Sequence, residues 1–410
     1  LYTLVHSSTK LQKLELGLRC QQLQARCPVL KNQLNQVKKL YFRDTVTYSS
    51  LQRSKLNFHP RDGPGMHSAN IKKGCRTMKK VLGLSVLAAM AALGTQYAVA
   101  QTPIPSEPAN AVNLVDGLEG VFGTHAGSRR SGARGVCAAG TFTGNKAAAA
   151  ISKASAFSGK PVPVTLRFSV GGGNPNAPEN GKSVRGLAAQ FDLPKGEQWL
   201  MANISAPFFT AATPDAFLAF LEARKPDPAT KKPDPAKIAA AAAKYPDFKP
   251  QADWLAKTGV PASYAAVNYW STHAFKFTNA AGKTQFAKWM FVPVTGQEFI
   301  ADDKLATHSK VFLEDELKGR VSQIPVEFDM VLQLAEAGDP TNNATVAWPD
   351  DRKKVVAGRL KVTAVTDKAA CDSINFNPLV LPTGIEGSDD PLLAARAGSY
   401  AVSQARRMAK

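Results

Sequence analysis

Six segments of this 410-residue chain carry strand-like patterning, and they follow one another instead of alternating strictly with helices. They are 162–170 (VPVTLRFSV), 185–193 (RGLAAQFDL), 272–279 (THAFKFTN), 284–294 (TQFAKWMFVPV), 324–335 (IPVEFDMVLQLA) and 354–366 (KVVAGRLKVTAVT). Gly171-Gly172-Gly173 and Ala280-Ala281-Gly282 punctuate them. Helical patterns are expected at 146–157, 214–223, 235–245, 303–318 and 391–408. Strands grouped with strands predict an α+β chain: a largely antiparallel sheet or barrel with helical additions. KPDPA occurs twice, at 225–229 and 232–236. Its prolines bar a central strand and predict a surface excursion leading into a helix.

The formal charge of +19 points at first to nucleic acid, but the charges are unevenly placed. Residues 78–100 (MKKVLGLSVLAAMAALGTQYAVA) combine a basic start, a short apolar run and an Ala98-Val99-Ala100 cleavage pattern, which is the build of a secretory leader. Cleavage is expected after Ala100, leaving one domain over 101–410. Residues 1–77 hold 14 Lys and Arg against 3 Asp and Glu, and are expected to be an upstream extension outside the mature protein. The remainder carries about +6, so the argument for nucleic acid disappears. The expected location is exported, periplasmic, with no membrane segment in the mature form. Two cysteines remain there, Cys137 and Cys371; an oxidising compartment would allow one disulfide. No CxxC, phosphate loop, GxGxxG or GxSxG occurs in a suitable context; Gly171–Gly173 runs into Asn174-Pro175.

The most informative stretch is 388–407, SDDPLLAARAGSYAVSQARR. Asp390 before Pro391 is a cap followed by proline at the first helical position. Along a helix, Arg396, Tyr400 and Arg407 fall within about 40° of one face. A guanidinium one turn from a phenol favours its anionic form, and tyrosinate is one of the axial ligands proteins use for haem iron. The same spacing fits an ordinary helix with a solvated arginine stripe.

R-x-x-x-Y followed by a basic residue resembles the haem-ligand helix of haem catalases. Further segments agree in order: RFS at 167–169, RGLAAQFDL at 185–193, Asn203 with Pro207-Phe208-Phe209, and STHAFKFTN at 271–279. GDPTNNATVAWPDDR at 338–352 and GIEGSDDPLLAAR at 384–396 are closer to the small catalase-related peroxidases. The resemblance covers most of 118–408. It implies an antiparallel β-barrel core of the haem-catalase type with helical additions, and haem b as cofactor. Tyr400 would be the axial ligand, held by Arg396, with His273 and Asp390 continuing the hydrogen-bond chain. Arg129, Arg167 and Arg407 match propionate-binding positions. Asn203 matches the asparagine that meets peroxide, and Ser169 the serine that supports the distal histidine.

The sequence departs from the family at one chemically important place. In the frame Arg129-Arg130-Ser131-Gly132-Ala133-Arg134-Gly135, Gly132 stands where the family has its distal histidine. The nearest histidine, His125, is a candidate substitute base. The expected function is a haem peroxidase that reduces organic peroxides, and hydrogen peroxide less well, with a small-molecule electron donor. The alternative is a haem-binding protein without catalysis, a carrier or sensor.

Overall fold

The computed structural model describes residues 107–324 and 326–409. The expected leader at 78–100 and the basic stretch 1–77 lie outside the described residues. Among the described residues twelve strands occur in chain order: β1 (Gly135–Gly144), β2 (Pro161–Val170), β3 (Arg185–Asp192), β4 (Gln198–Ile204), β5 (Val260–Pro261), β6 (Tyr269–Trp270), β7 (Phe275–Thr278), β8 (Thr284–Pro293), β9 (Phe299–Ile300), β10 (Val326–Leu334), β11 (Lys354–Thr366) and β12 (Ile385–Gly387). The sheet runs β10-β11-β1-β2-β3-β4-β6-β8, and β8 pairs again with β10. Eight antiparallel strands therefore close on themselves, which removes the exposed edges of an open sheet. β7 and β12 extend the sheet beside β8.

Alternation along the strands fills the barrel. Leu166 and Phe168 on β2, Leu187 and Phe191 on β3, Trp199 and Met201 on β4, and Phe328, Met330 and Leu332 on β10 belong to one buried cluster. Aromatic rings meet edge to face inside it, as Trp199 and Trp289 do at 5.5 Å. The opposite face of β2 carries Arg167 and Ser169, so one strand serves the core and the functional wall.

Two helical expectations needed correction. The pattern at 146–157 forms only Lys146–Ala149 and a single turn at Ser155–Phe157. Between them the Lys153 amide donates to the Thr278 carbonyl, and the Ser152 hydroxyl to Gly384, which draws the backbone out of a helix. The helix expected at 303–318 starts instead at Leu313 and runs to Gln323. The buried Glu179 carboxylate accepts the Phe312 and Leu313 amides and fixes that start. The helices Pro214–Glu222 and Pro235–Lys244 lie where the sequence puts them, the second with no buried side chain. Among the described residues no helix is long and apolar enough to cross a membrane.

The last helix, Pro391–Met408, lies against the helix Ala111–Phe122. Arg406 ties the two by ion pairs of 2.7 Å to Asp116 and Glu119. Gly398 sits at the contact: a Cβ there would lie 3.0 Å from the Ala111 Cβ. A residue that weakens the helix in isolation is thus what lets the two helices approach.

Candidate functional site

A cavity of about 300 Å³ opens between the outer face of β2–β4, the loop before β1 and the last helix. Each wall has a local cause. Asp390 caps the last helix through the Leu392 and Leu393 amides at 2.8 and 3.2 Å. Its other oxygen takes His273 Nδ1 at 2.7 Å, and both residues are buried. Burial pushes the His273 imidazole down, although the hydrogen bond to Asp390 opposes this. We therefore read Nδ1 as the protonated nitrogen, donating to the carboxylate. Burial works against the Asp390 charge, yet the His273 contact and the two capping amides hold its carboxyl below the usual range.

Asp390 thus stabilises the fold above the unfolded aspartate value of about 3.9, and that contribution fades as pH falls through its lower folded value. Asp390→Ala is expected to lower stability at neutral pH by at least about 1–2 kcal/mol, the size of a lost cap. Urea titrations at pH 7 and pH 3 check this: the gap between wild type and variant should narrow at the lower pH.

Two turns further along the last helix, Arg396 Nη2 donates to the Tyr400 hydroxyl at 2.6 Å. His273, Arg396 and Tyr400 all line the cavity. Four more arginines line it: Arg129 and Arg130 before β1, Arg167 on β2 and Arg407 in the last turn of the helix. Arg167 donates to the carbonyls of Gly132 at 2.7 Å and Ala133 at 3.1 Å. Arg129 Nη2 donates to the carbonyls of Cys371, Ile374 and Asp372 at 2.9, 3.0 and 3.3 Å. Buried N–H groups remain without partners among the described residues: Arg129 Nε, and Nε and Nη2 of Arg407. Burial, then Arg167 and Arg407, push the Arg129 guanidinium down to about 9. Burial and the charge of Arg407 push Arg167 down to about 10, against the attraction of Asp372. Arg407 is itself lowered by burial and by Arg130. Buried and partly buried guanidinium groups that repel one another and keep unused donors form a site suited to an anion.

On the opposite wall, Asn203 Nδ2 donates to the Leu187 carbonyl at 2.9 Å, and Asn203 Oδ1 accepts Trp289 Nε1 at 2.7 Å. Both bonds fix the amide plane at the rim of the barrel. Trp289 was not singled out in the sequence; its inward place in the alternation of 284–294, together with the need of a buried indole for an acceptor, is the signal that could have found it. Gly132 lies beside Ser169, and a Cβ there would be 3.0 Å from Ser169 Oγ. Its φ of +61° is left-handed backbone, which suits glycine. A side chain at 132 would therefore enter the cavity next to Ser169.

His125 does not join these groups. Its Nε2 bonds the Phe122 carbonyl at 2.9 Å, and it is not among the residues that line the cavity. The loop that carries it is held by Arg130, which donates to the Ser128 carbonyl at 2.7 Å and pairs with Glu119. The histidine nearest in sequence is thus built into the turn after the helix Ala111–Phe122, away from the lining of the cavity where a substitute base was expected. Cys137 and Cys371 are joined as a disulfide.

Residues 113–410 match the family described as Catalase. The chain belongs to the catalase family. Within this family it is 40% identical over 321 residues to a catalase-related peroxidase of Synechococcus elongatus, an alignment covering 78% of this chain and 95% of that protein. It is 32% identical to a catalase-related peroxidase of Mycolicibacterium paratuberculosis, over 70% of this chain and 92% of the other. A crystal structure of a fungal catalase superposes with a TM-score of 0.63 at 20% identity, over 68% of this chain and 59% of that one, and shows the shared fold. Catalase-family proteins typically bind haem, and the donor set here suits that group: one phenol oxygen for a metal, and arginines for a pair of carboxylates. No group of three or more His, Cys, Asp or Glu gathers as a metal cage among the described residues.

Proposed function

We propose that this chain is a peroxidase that holds haem b by Tyr400 and reduces peroxides, organic ones among them, at the expense of a small-molecule electron donor. The observation that carries the reading is one cavity lined both by arginines with unpaired buried donors and by a phenol oxygen fixed by its own guanidinium. Haem, when bound, supplies a redox-active iron at which a peroxide O–O bond is cleaved and to which a donor returns electrons.

The residues of the chain do the rest. Arg396 holds the Tyr400 oxygen by its hydrogen bond, as a group orienting a metal ligand would. Asp390 caps the helix that carries Tyr400, and His273 anchors that cap. Arg129, Arg167 and Arg407 supply the charge that two propionates need. Asn203 has a second amide N–H to offer a peroxide oxygen, because its first N–H and its oxygen are already engaged. Proton transfer between the two peroxide oxygens lacks an imidazole at 132, so disproportionation of hydrogen peroxide is expected to be slow.

Haem titration of the apoprotein tests the reading. Wild type should bind one equivalent and show a tyrosinate-ligated ferric spectrum. Arg407→Met should weaken binding and at the same time raise the melting temperature of the apoprotein, because an unpaired buried charge is removed; the gain is on the order of 1–3 kcal/mol. A variant that loses apoprotein stability would count against the anion-site argument. The placement of Gly132 and His125 also supports a second reading, a haem protein without turnover. Measured oxidation of a phenolic donor with an alkyl hydroperoxide separates the two.

We also propose export with cleavage after Ala100. The leader-like segment 78–100 and the disulfide support it. N-terminal sequencing of the protein made in its host should begin at Gln101; retention of residue 78 in the functional protein would defeat it.

A further inference from the structure

Arg129 reaches the cavity from a loop with no regular structure, so something outside that loop must hold it. Its partners are all backbone carbonyls of one short stretch, those of Cys371, Asp372 and Ile374. The ring of Phe376, from the same stretch, lies 5.4 Å from the guanidinium and also lines the cavity. This shelf has weak structure of its own: a single helical turn at Ala369–Asp372 with no side-chain cap. Its buried anchor is a small cluster of Cys137, Cys371 and Phe376, apart from the barrel core, against which Ile374 and Tyr400 pack. The Cys137–Cys371 bond runs from β1, the strand that follows the Arg129 loop, to this shelf, across 234 positions of sequence. The shelf also carries Asp372, whose charge favours the protonated forms of Arg129, Arg167 and Arg407 alike.

We propose that the Cys137–Cys371 disulfide is a positioning element of the cavity: it pins the 369–376 shelf, and through the shelf it holds Arg129 and the packing face of Tyr400 in the geometry that retains the anionic cofactor. The inference rests on the haem reading above. Reduction by a dithiol breaks the protein S–S bond, forms one S–S bond in the cyclised reagent and leaves a thiol proton on each of Cys137 and Cys371. The shelf is then held by few contacts of its own, and the carbonyl socket of Arg129 moves with it.

The test uses the whole haem-loaded protein, reduced anaerobically with dithiothreitol and kept well below its melting temperature. Haem loss is followed by transfer to excess apomyoglobin. Reduction should speed dissociation by about tenfold or more, the scale of losing a residue that orients a ligand, and reoxidation with oxidised glutathione should reverse it. Cys137→Ser with Cys371→Ser should behave as the reduced protein. In an Arg129→Met background, which itself loses haem faster, reduction should add much less than it does in wild type, because both changes act on one contact. An unchanged rate on reduction, or an equal increase in both backgrounds, overturns the proposal and leaves the disulfide a stabilising crosslink only. If the protein takes up no haem, the cofactor reading fails. Amide exchange of 369–376 then still judges the shelf, since reduction should raise it there and not in β2 or β3.

Discussion

Tyr400→Phe is expected to abolish the characteristic iron spectrum and to lower peroxidase turnover by more than about 10²-fold while leaving the fold intact. The change deletes one oxygen. Tyr400 is partly buried against Cys137, Cys371 and Phe376, and a phenylalanine keeps that packing. What disappears is the acceptor of the 2.6 Å bond from Arg396, the oxygen proposed as the metal ligand. Losing an orienting group around a metal ligand lowers affinity or activity by about 10–100-fold, and losing the ligand itself should exceed that. Absorption and electron paramagnetic resonance of the haem-loaded variant, with circular dichroism as a control for folding, make the measurement. A native ferric spectrum in the variant would remove Tyr400 from the metal and with it the proposed function.

Gly132→His is expected to raise turnover of hydrogen peroxide by as much as about 10²–10⁴-fold, the usual worth of a positioned general base. The geometry favours a productive placement. A Cβ at 132 points to Ser169 Oγ at 3.0 Å and to Arg167 Nη1 at 3.6 Å, so the new side chain enters the cavity beside a hydroxyl that can orient an imidazole. The left-handed backbone at 132, with φ of +61°, is a strain for any side chain and costs about 1–2 kcal/mol. Histidine is among the residues that accept it more readily. The variant should therefore be less stable and more active, with Ser169→Ala in the same background losing part of the gain. Oxygen release from hydrogen peroxide reads the result. A stable variant that holds haem and shows no gain would mean that the base is not what this site lacks.

Why some of this architecture could be read from residue order is clearest at the last helix. Asp390-Pro391 is a local start signal, and the 3.6-residue periodicity behind it needs no tertiary help, so the helix and the Arg396–Tyr400 pair follow from neighbours in sequence. The opposite case is β1, GVCAAGTFTG, whose small residues carry little strand preference. It is a strand because β2 and β11 pair with its two edges. The helix Ala111–Phe122 went unread although Asn110 and Asn113 form a capping box at its start, a local signal that was there to be found. In the site, the side chains Arg129, Arg167, Asn203 and Tyr400 are visible as motifs and do line one cavity. The acceptors of Arg129 are main-chain carbonyls some 240 positions away, and no residue type announces them. His125 shows the reverse: the histidine nearest in sequence to position 132 has its ring bonded to the Phe122 carbonyl at a helix end.

The pairing of β1 with β11 has a consequence for assembly. Cys137 faces Thr366 and Phe142 faces Leu360, so one flank of β1 stays open until a strand more than 200 positions downstream arrives. The pocket draws two walls from the neighbouring loop before β1 and strands β2–β4, and the third from the last helix, which begins only at Pro391, long after β4 ends at Ile204. Contacts of such long range form late and slowly. On the proposed function, haem capture is expected to follow barrel closure, and a chain stalled before β11 docks would present an unprotected sheet edge to its surroundings.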